Sequence, residues 1–361
     1  MVAPRVAVGA WVVAPLVAAG AWEVAFRWRP CPMVGFATLR PVRARRIGNL
    51  LSWERWQTCR RLFQDPFRAH LALAGLGGHD PFSLTWRSGG ELRLPPFRRV
   101  RSLFAFLFEH PDVLASARPE PDGNGGGLLS FRWEDARLAI RPDSFDFPIF
   151  TEVWLRDVYR LARLPRPIGT VVDLGANVGL FSTRAALLGA EVVAVEPVEE
   201  NRALLRKNLE GCGVATRVRL IEGAISGRSG ERLRMFKSPD NSGGHSLQQN
   251  PATAATPSEE EVTTVSLEDL FARERVERCD LLKCDVEGAE FEALLAAPLD
   301  TLRRVERVAI ELHLTPDLPA DRPEALRAHL RAAGFTLEEE DGPAMYGGTL
   351  KQILVHGSRR A

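Results

Sequence analysis

Ionisable side chains cluster in two short segments in the second half of this 361-residue chain. Lys283, Asp285 and Glu287 alternate along the first segment, and Glu311 and His313 lie on the second. Alternation along a strand places Lys283 and Asp285 on one face, with Glu287 in the loop beyond it. Carboxylates and an imidazole can accept a proton, and such oxygens with one imidazole can also bind magnesium or manganese. Proton transfer is favoured over a divalent metal, because nothing in the spacing demands an ion.

The elements that must position these residues alternate between strand and helix from Gly169 onward. Strand patterns occur at 170–174, 192–196, 218–221, 280–286, 308–314, 335–339 and 352–356. Helical patterns occur at 178–188, 198–209, 290–296 and 322–333. This alternation predicts an α/β fold, a doubly wound and mostly parallel sheet with a final antiparallel strand.

A glycine-containing loop joins the first predicted strand to the first helix, where open α/β sheets bind ligands. Gly175 allows a sharp turn, Gly179 allows the helix to pack closely on the strand, and Asn177 lies between them. A dinucleotide fingerprint would need glycine at Asn177 and again at Leu180. The loop therefore disfavours an NAD(P)-dependent oxidoreductase.

Acidic residues end the first two predicted strands. Asp173 is placed to contact the methionine part of S-adenosylmethionine, and Glu196 to accept the hydroxyls of its ribose. Glu222 and Ala224 follow the third strand, where the adenine ring would lie. The alternative roles are helix capping or surface charge for the acids and core packing for Ala224. Together with the loop, these residues predict S-adenosylmethionine binding in a Rossmann-like class I methyltransferase fold.

The two ionisable segments and the loop also resemble a known family. The stretches DLGANVG at 173–179, KCDVEG at 283–288 and IELH at 310–313 are similar to the motifs of the FkbM methyltransferases, over 150 to about 357. The resemblance implies transfer of a methyl group to a hydroxyl of a sugar, glycan or other small molecule. Alternatives are an N-methyltransferase and a non-catalytic relative that binds S-adenosylmethionine.

For such a reaction the end of the fourth strand faces the methyl group. Asp285 is the first candidate for base or substrate clamp, and His313 is the second, because an ordinary imidazole accepts a proton near neutrality. Lys283 and Glu287 complete the predicted catalytic set. The alternative is that Lys283 pairs with a carboxylate while the acids cap the helix that follows.

Three regions are predicted along the chain: an apolar and Arg-rich segment at 1–48, an α+β accessory region at 49–149 and the methyltransferase domain at 150–361. The accessory region shows helical patterns at 51–73 and 100–114, a hairpin at 82–94, a linker at 118–127 and a strand at 131–140. In a predicted helix at 150–164, Glu152 and Tyr159 are expected to contact the cofactor. A polar insertion at 238–261, with Asn241–Ser246 as a lid, completes the domain.

Composition limits the partners and the compartment. Lys plus Arg number 47 and Asp plus Glu 46, so no basic field indicates a nucleic-acid partner. The five cysteines contain no CxxC pair, which favours a reducing cytoplasm. The apolar run at 6–22 has three interpretations: a signal peptide, a membrane anchor, or a loosely ordered start. We therefore expect a cytoplasmic protein, with membrane association through residues 6–22 as the alternative.

Overall fold

The computed structural model describes residues 16–18, 21–23, 52–72, 74, 81–121, 127–236, 259–314, 318–341 and 351–359. The chain divides into two units, Met1–Gly48 and Asn49–Ala361. In the first unit, strands Leu16–Ala18 and Ala21–Glu23 pair antiparallel. Among the described residues, no helix has the length and apolar character that a membrane crossing requires. Most of the apolar run at 6–22 lies outside those residues, so its three interpretations stay predictions.

A seven-stranded sheet organises the second unit. Its strands are β1 (Thr170–Leu174), β2 (Glu191–Glu196), β3 (Val218–Glu222), β4 (Leu281–Cys284), β5 (Arg307–Leu314), β6 (Phe335–Asp341) and β7 (Lys351–Arg359). They lie in the order β3-β2-β1-β4-β5-β7-β6, and β7 runs antiparallel to both of its neighbours, β5 and β6. This topology confirms the predicted Rossmann-like sheet with a final antiparallel strand. The carboxyl ends of β1, β2, β4 and β5 therefore meet at one edge.

Helices connect the strands. They are α1 (Leu180–Leu187), α2 (Glu199–Gly211), α3 (Leu267–Arg273), α4 (Glu290–Ala296) and α5 (Arg322–Ala332), with short helical turns at Ala215–Arg217 and Leu299–Leu302. Four residues of β1 and all four of β4 are buried, as expected for central strands covered on both faces. The sequence patterns had not indicated α3, which Ser266 caps by accepting the backbone N–H of Asp269.

A smaller sheet flanks the polar insertion. Strands Ala224–Ile225 and Arg232–Phe236 both pair with Glu259–Val265. The expected insertion at 238–261 thus ends in a strand. The predicted lid at Asn241–Ser246 lies outside the described residues.

The accessory region departs from the predicted pattern at its prolines. The helix expected at 51–73 is two helices, Trp53–Leu62 and Pro66–Leu71, because Asp65 caps a new helix that starts with proline. The helix expected at 100–114 likewise divides into Phe97–Glu109 and Pro111–Ser116.

The strands of the accessory region form two small sheets. The predicted hairpin is confirmed, with Phe82–Thr85 paired to Glu91–Leu94. The linker expected at 118–127 was wrong, because Arg118–Pro121 pairs with Gly127–Trp133, which pairs in turn with Ala136–Ile140. Strand Ala136–Ile140 also contacts helix α2. The side chain of Asn208 accepts the backbone N–H of Ala139 at 2.7 Å and donates to its carbonyl oxygen at 3.1 Å.

A bent segment leads from the accessory region to β1. The single helix expected at 150–164 was wrong: the chain forms an α-helix at Asp146–Phe150, a wider π-helical turn at Thr151–Arg156 and a 3-10 turn at Leu161–Arg163. Asp157 and Arg160 adopt left-handed backbone angles, with φ of 50° and 56°. These turns place Tyr159, which is 4% exposed, against the sheet.

Candidate active site at the carboxyl edge of the sheet

The loop after β1 fits tightly between its neighbours. Gly175 and Gly179 have φ of 78° and 76°, angles that residues with a Cβ rarely adopt. A Cβ at Gly175 would overlap the carbonyl oxygen of Asp285, and a Cβ at Gly179 would overlap Leu205 of α2. The sharp turn predicted at Gly175 is seen, and Gly179 allows close packing of α1 against α2, where packing on the strand was expected. The predicted approach of Gly175 to a ligand stays a prediction.

Glu196 is held rigidly at the end of β2. Its carboxylate accepts the backbone N–H of Asn177 at 2.8 Å, that of Val198 at 3.0 Å and the side-chain amide of Asn201 at 3.1 Å. Burial raises the pKa of Glu196, and these three bonds oppose that rise. The amide oxygen of Asn177 is buried without a hydrogen-bond partner among the described residues. A polar nucleoside would fit beside this unsatisfied oxygen and the fixed carboxylate.

Asp173 and Lys283 form a buried ion pair between β1 and β4. Their charged atoms lie 3.2 Å apart, and the Ser182 hydroxyl donates to the other oxygen of Asp173 at 2.6 Å. Lys283 also donates to the carbonyl oxygen of Gly175 at 2.7 Å. Burial lowers the pKa of Lys283, but Asp173 and Asp285 outweigh it and raise that pKa above its ordinary value. Lys283 thus stays charged and fixes the loop, in agreement with the pairing considered from the sequence.

The two residues predicted to contact adenine have different surroundings. Glu222 is 75% exposed at its side chain and pairs with Arg202 at 3.1 Å. Ala224 is buried with Val198, Met235 and Val262 in a small apolar cluster. Core packing thus accounts for the small side chain of Ala224, and an adenine contact at either residue stays a prediction.

Asp285, Glu287 and Glu311 form an acidic cluster beyond the ends of β4 and β5. The Tyr159 hydroxyl links two of them, donating to Asp285 at 3.1 Å and lying 3.4 Å from Glu311. The side chains are 27%, 17% and 20% exposed for Asp285, Glu287 and Glu311. Incoming molecules can therefore reach the carboxylates. Lys283 lies behind them, 3.7 Å from Asp285, as the strand alternation predicted.

Three carboxyl groups in and beside this cluster, those of Glu287, Glu311 and Glu152, have raised pKa values. Burial and the charge of Asp285 raise the pKa of Glu311 to about 8 and that of Glu152 to about 7. Burial also raises the pKa of Glu287 to about 7. Burial, followed by the charges of Asp285 and Glu311, raises the pKa of Tyr159 well above its ordinary value, so the phenol remains a donor. Carboxyl groups that titrate near neutrality can exchange protons at physiological pH.

His313 lies beneath this cluster with 1% of its side chain exposed. Its Nδ1 is 2.7 Å from Glu290, and its Nε2 is 3.5 Å from Glu287 and 3.7 Å from Glu311. Burial lowers the pKa of His313, but Glu287 and Glu290 outweigh it and raise that pKa well above its ordinary value. The nearby carboxylates thus favour the protonated form of His313, which disfavours it as a base, and its predicted catalytic role stays a prediction.

Glu290 was not among the residues predicted from the sequence. Its fully buried carboxylate accepts the backbone N–H of Val286 at 3.2 Å and of Gly288 at 3.0 Å, in addition to its contact with His313. Gln352, from β7, lies 3.2 Å from the Nε2 of His313 and was also missed. The position of Glu290, two residues after the KCDVEG turn, was the available signal, whereas Gln352 is distant in the chain and carried none.

Glu152 and Tyr159 lie on the bent segment ahead of β1. The Lys283 ammonium is 5.5 Å from the centre of the Tyr159 ring. The charge of Asp285 contributes to the raised pKa values of both Glu152 and Tyr159. The structure therefore brings both into the neighbourhood of the acidic cluster. Their predicted contact with the cofactor stays a prediction.

A divalent metal was the alternative use of these side chains. Asp285, Glu311 and His313 each offer one ligand atom, and the three atoms lie within 4.8 Å of one another. Binding would require His313 to lose its proton, since only a neutral imidazole coordinates a metal. Glu287, also considered from the sequence, is not in this set. The metal thus stays an alternative, to be tested by chelation.

Comparison with known proteins adds an independent finding. Residues 173–337 match the family model of the methyltransferase FkbM domain. The methyltransferase sdnD of Sordaria araneosa is 26% identical over 220 residues, which cover 53% of this chain and 83% of that protein. The AMB antimetabolite synthetase AmbE of Pseudomonas aeruginosa is 29% identical over 223 residues. These cover 52% of this chain but 10% of AmbE, so the chain spans a tenth of that relative's length.

Solved structures show weaker similarity. The N-terminal domain of EvdMO1 with SAH bound has 17% identity and a TM-score of 0.33, with coverage of 57% of this chain and 79% of that chain. A SAM-dependent methyltransferase from Agrobacterium tumefaciens has 14% identity and a TM-score of 0.39, with coverage of 79% and 89%. These values are too low to add to the assignment, which depends on the strand order, the loop geometry and the family match.

The family match begins at Asp173 of β1, just before the loop to which Gly175 belongs, and it extends through the acidic cluster to β6. It thus covers the residues that were expected to bind the cosubstrate, except Glu152 and Tyr159. Residues 173–337 therefore match a methyltransferase FkbM domain, and they include the loop and the strand ends expected to bind S-adenosylmethionine.

Proposed function

We propose that the protein transfers a methyl group to a hydroxyl of a small molecule, sugar or glycan. The observation that carries this proposal is the partly exposed acidic cluster of Asp285, Glu287 and Glu311, at the edge of the sheet where the cofactor loop ends. A hydroxyl is a weak nucleophile until its proton is removed, so a nearby carboxylate is needed.

The cations beneath the cluster support a division of roles. Lys283 and His313 are almost fully buried, with 5% and 1% of their side chains exposed, and both remain protonated. They therefore cannot take the proton of the acceptor. Their role is instead to hold the carboxyl groups in position and to neutralise part of the negative charge of the acidic cluster.

Asp285 and Glu311 are the proposed proton acceptors, and Glu311 accepts a proton only in its ionised form, because its pKa is raised to about 8. Both approach the Tyr159 hydroxyl, so an acceptor hydroxyl in the same place would meet the same two carboxylates. S-adenosylmethionine, when bound, supplies a methyl group on a sulfonium. The acceptor oxygen gains that methyl group and loses its proton to a carboxylate, while the sulfur leaves as a neutral thioether.

An amine is the second candidate acceptor. The carboxyl group of Asp285, 27% exposed, could pair with an ammonium group before transfer. An amine would lose its proton to the same carboxylates before methylation. The two candidates therefore differ in acceptor chemistry and share the same residues.

Labelled methyl transfer tests the proposal. The full chain is incubated with methyl-labelled S-adenosylmethionine and matched acceptors that differ only in one group, such as a sugar and its amino sugar. We expect label on oxygen, identified by mass spectrometry. Combining Asp285→Asn with Glu311→Gln should lower kcat on the order of a hundredfold or more, since general base catalysis contributes about 10²–10⁴.

Glu306→Gln is the matched control, because Glu306 lies on the chain just before β5 with 31% of its side chain exposed, close to the exposure of Asp285. It should leave kcat unchanged. Undiminished transfer in the double variant would overturn the assigned residues. Label found only on nitrogen would overturn the hydroxyl acceptor in favour of the amine.

A further inference from the structure

A cavity of about 220 Å³ lies at the other end of the sheet face that carries the acidic cluster. Arg307 and Glu311 belong to this face together, because they are an even number of residues apart on β5. Arg307 pairs in register with Ser358 of β7, which pairs with Thr336 of β6. The lining residues that matter below are Arg160, Arg163, Arg307, Thr336, His356 and Ser358.

The charge of this cavity is opposite to that of the acidic cluster. Arg160 is already paired, with Glu338 at 2.6 Å and Glu340 at 2.7 Å. Arg163 and Arg307 also line the cavity, and neither forms an ion pair with any residue in the described ranges. Glu338 is the one acid in the lining, and Arg160 neutralises it. Arg160, Arg163 and Arg307 together carry one more positive charge than Glu338 and Glu340, the two acids whose pKa values Arg160 and Arg163 lower.

His356 provides an independent sign of a polar ligand. It is 7% exposed, and its Nε2 has no hydrogen-bond partner among the described residues. Buried polar atoms are nearly always paired, so such an atom in a cavity wall indicates a missing partner. Burial, followed by the charge of Arg160, lowers the pKa of His356 to about 4. The ring is thus neutral and can donate a hydrogen bond without adding charge.

We propose that this cavity binds a phosphate or carboxylate group, held by Arg163 and Arg307 with the help of His356, Thr336 and Ser358. Guanidinium groups are suited to such anions because their N–H groups match two oxygens at once. The volume is below the range of about 300–1,000 Å³ that holds a whole drug-sized ligand. A single anionic group fits better than an entire substrate.

Tyr159 connects this cavity to the site of methyl transfer. Its side chain lines the cavity, while its hydroxyl donates to Asp285 at 3.1 Å. Arg307 and Glu311 are four residues apart on β5, a distance of about 13 Å along a strand. An acceptor that carries a phosphate or carboxylate could reach both places. This origin of the anion rests on the proposed function, whereas the anion site itself does not.

Inorganic phosphate is the probe for the site. It is titrated into the full chain by calorimetry, with sulfate as a second oxyanion. We expect one site per chain, and Arg307→Ala should weaken binding on the order of tenfold or more, the effect of losing hydrogen bonds to a charged group. Arg163→Ala should act in the same direction. Arg273→Ala is the control, since Arg273 is 65% exposed on α3 and does not line the cavity.

Absence of phosphate binding, or equal binding by all variants and the wild type, would overturn the proposal. Circular dichroism and binding of S-adenosylmethionine verify that the variants are folded. His356→Phe provides a further test, because it removes the donor without changing charge and should also weaken phosphate binding.

A second experiment distinguishes an anionic group that belongs to the acceptor from a free anion. Methyl transfer is measured with a sugar and with its phosphate ester, in the wild type and in Arg307→Ala. If the acceptor supplies the anion, the variant raises KM for the ester alone and inorganic phosphate competes with it. If a free anion is the ligand, phosphate binds but KM is unaffected. Failure of all methyl transfer would contradict the proposed function and leave the calorimetric result standing.

Discussion

At the scale of single residues, Glu290 joins two parts of the site that the sequence presents as separate. Its carboxylate accepts two backbone N–H groups of the turn after β4 and contacts His313 of β5 at 2.7 Å. It is fully buried and has no exposed surface with which to meet an acceptor. Glu290 is therefore a positioning residue for the acidic cluster.

Glu290→Gln should lower kcat on the order of a hundredfold, the effect expected of a misplacement of about 1 Å at the reacting groups. Glutamine keeps the size of the side chain but removes the charge that holds the His313 proton. The pH profile of kcat should therefore change as the pKa of His313 falls, which a purely structural loss would not cause. Glu292→Gln, exposed on the same helix, is the matched control. An unchanged profile with unchanged kcat would contradict the positioning role.

At the scale of elements, the loop between β1 and α1 is fixed by the end of β4. Gly175 and Gly189 both have positive φ, 78° and 97°, but only Gly175 has a neighbour where a Cβ would lie. Alanine substitutions at these two positions therefore distinguish the free-energy cost of a left-handed backbone from the added cost of a steric clash.

Gly189→Ala should cost about 1–2 kcal/mol of the free energy of unfolding, from the left-handed backbone alone. Gly175→Ala should cost more, and it should weaken binding of S-adenosylmethionine because the loop must move away from Asp285. Urea unfolding and calorimetry with the cofactor measure the two effects. Equal losses in both variants, with equal cofactor affinity, would show that the contact between the loop and β4 is unimportant.

At the scale of the whole molecule, the accessory region and the sheet belong to one unit, Asn49–Ala361. A single apolar core contains residues of both, from Cys59 and Phe104 to Val171 and Leu205. The boundary predicted near residue 150 marks a change of architecture, and its meaning as a domain boundary stays a prediction. Because Glu152, Glu287 and Glu311 are part of this unit, their protonation affects its free energy of unfolding.

The free energy of unfolding should fall as pH rises from about 6.5 to about 8. Glu152, Glu287 and Glu311 have folded pKa values raised to about 7, 7 and 8, above the value of about 4.3 in an unfolded chain. The folded protein therefore retains protons that the unfolded chain has lost, and deprotonation then destabilises it. The raised pKa of His313 acts in the same direction. The lowered pKa of His356 acts oppositely, but below its ordinary value of 6.5.

Urea unfolding at the two pH values measures this change, with a slope of up to about 1.4 kcal/mol per pH unit for each proton retained. Glu311→Gln should flatten the dependence, because that side chain no longer titrates. A stability that is constant or rises over this interval would show that the acids are ionised in the folded state.

Much of the fold was predictable because its signals are local. The strand and helix periods from 170 onward predicted the seven strands and their mostly parallel arrangement, but they missed α3 and the strands of the smaller sheet. Errors in the accessory region occurred at Pro66 and Pro111, where helices restart, and at 118–121, where pairing with a distant strand overrides a Pro-rich composition. Such pairing is decided by tertiary contacts that no local pattern contains.

The sequence by itself determined the cofactor loop, because glycine spacing and acids at strand ends restrict the backbone wherever the loop is placed. It also indicated Lys283 and Asp285 on one face. Tertiary structure decided what each charge does. His313 holds its proton because Glu290 and Glu287 surround it, and Lys283 is committed to Asp173. A pKa depends on burial and on neighbours from other strands, so only the folded arrangement could assign acid, base and counter-ion.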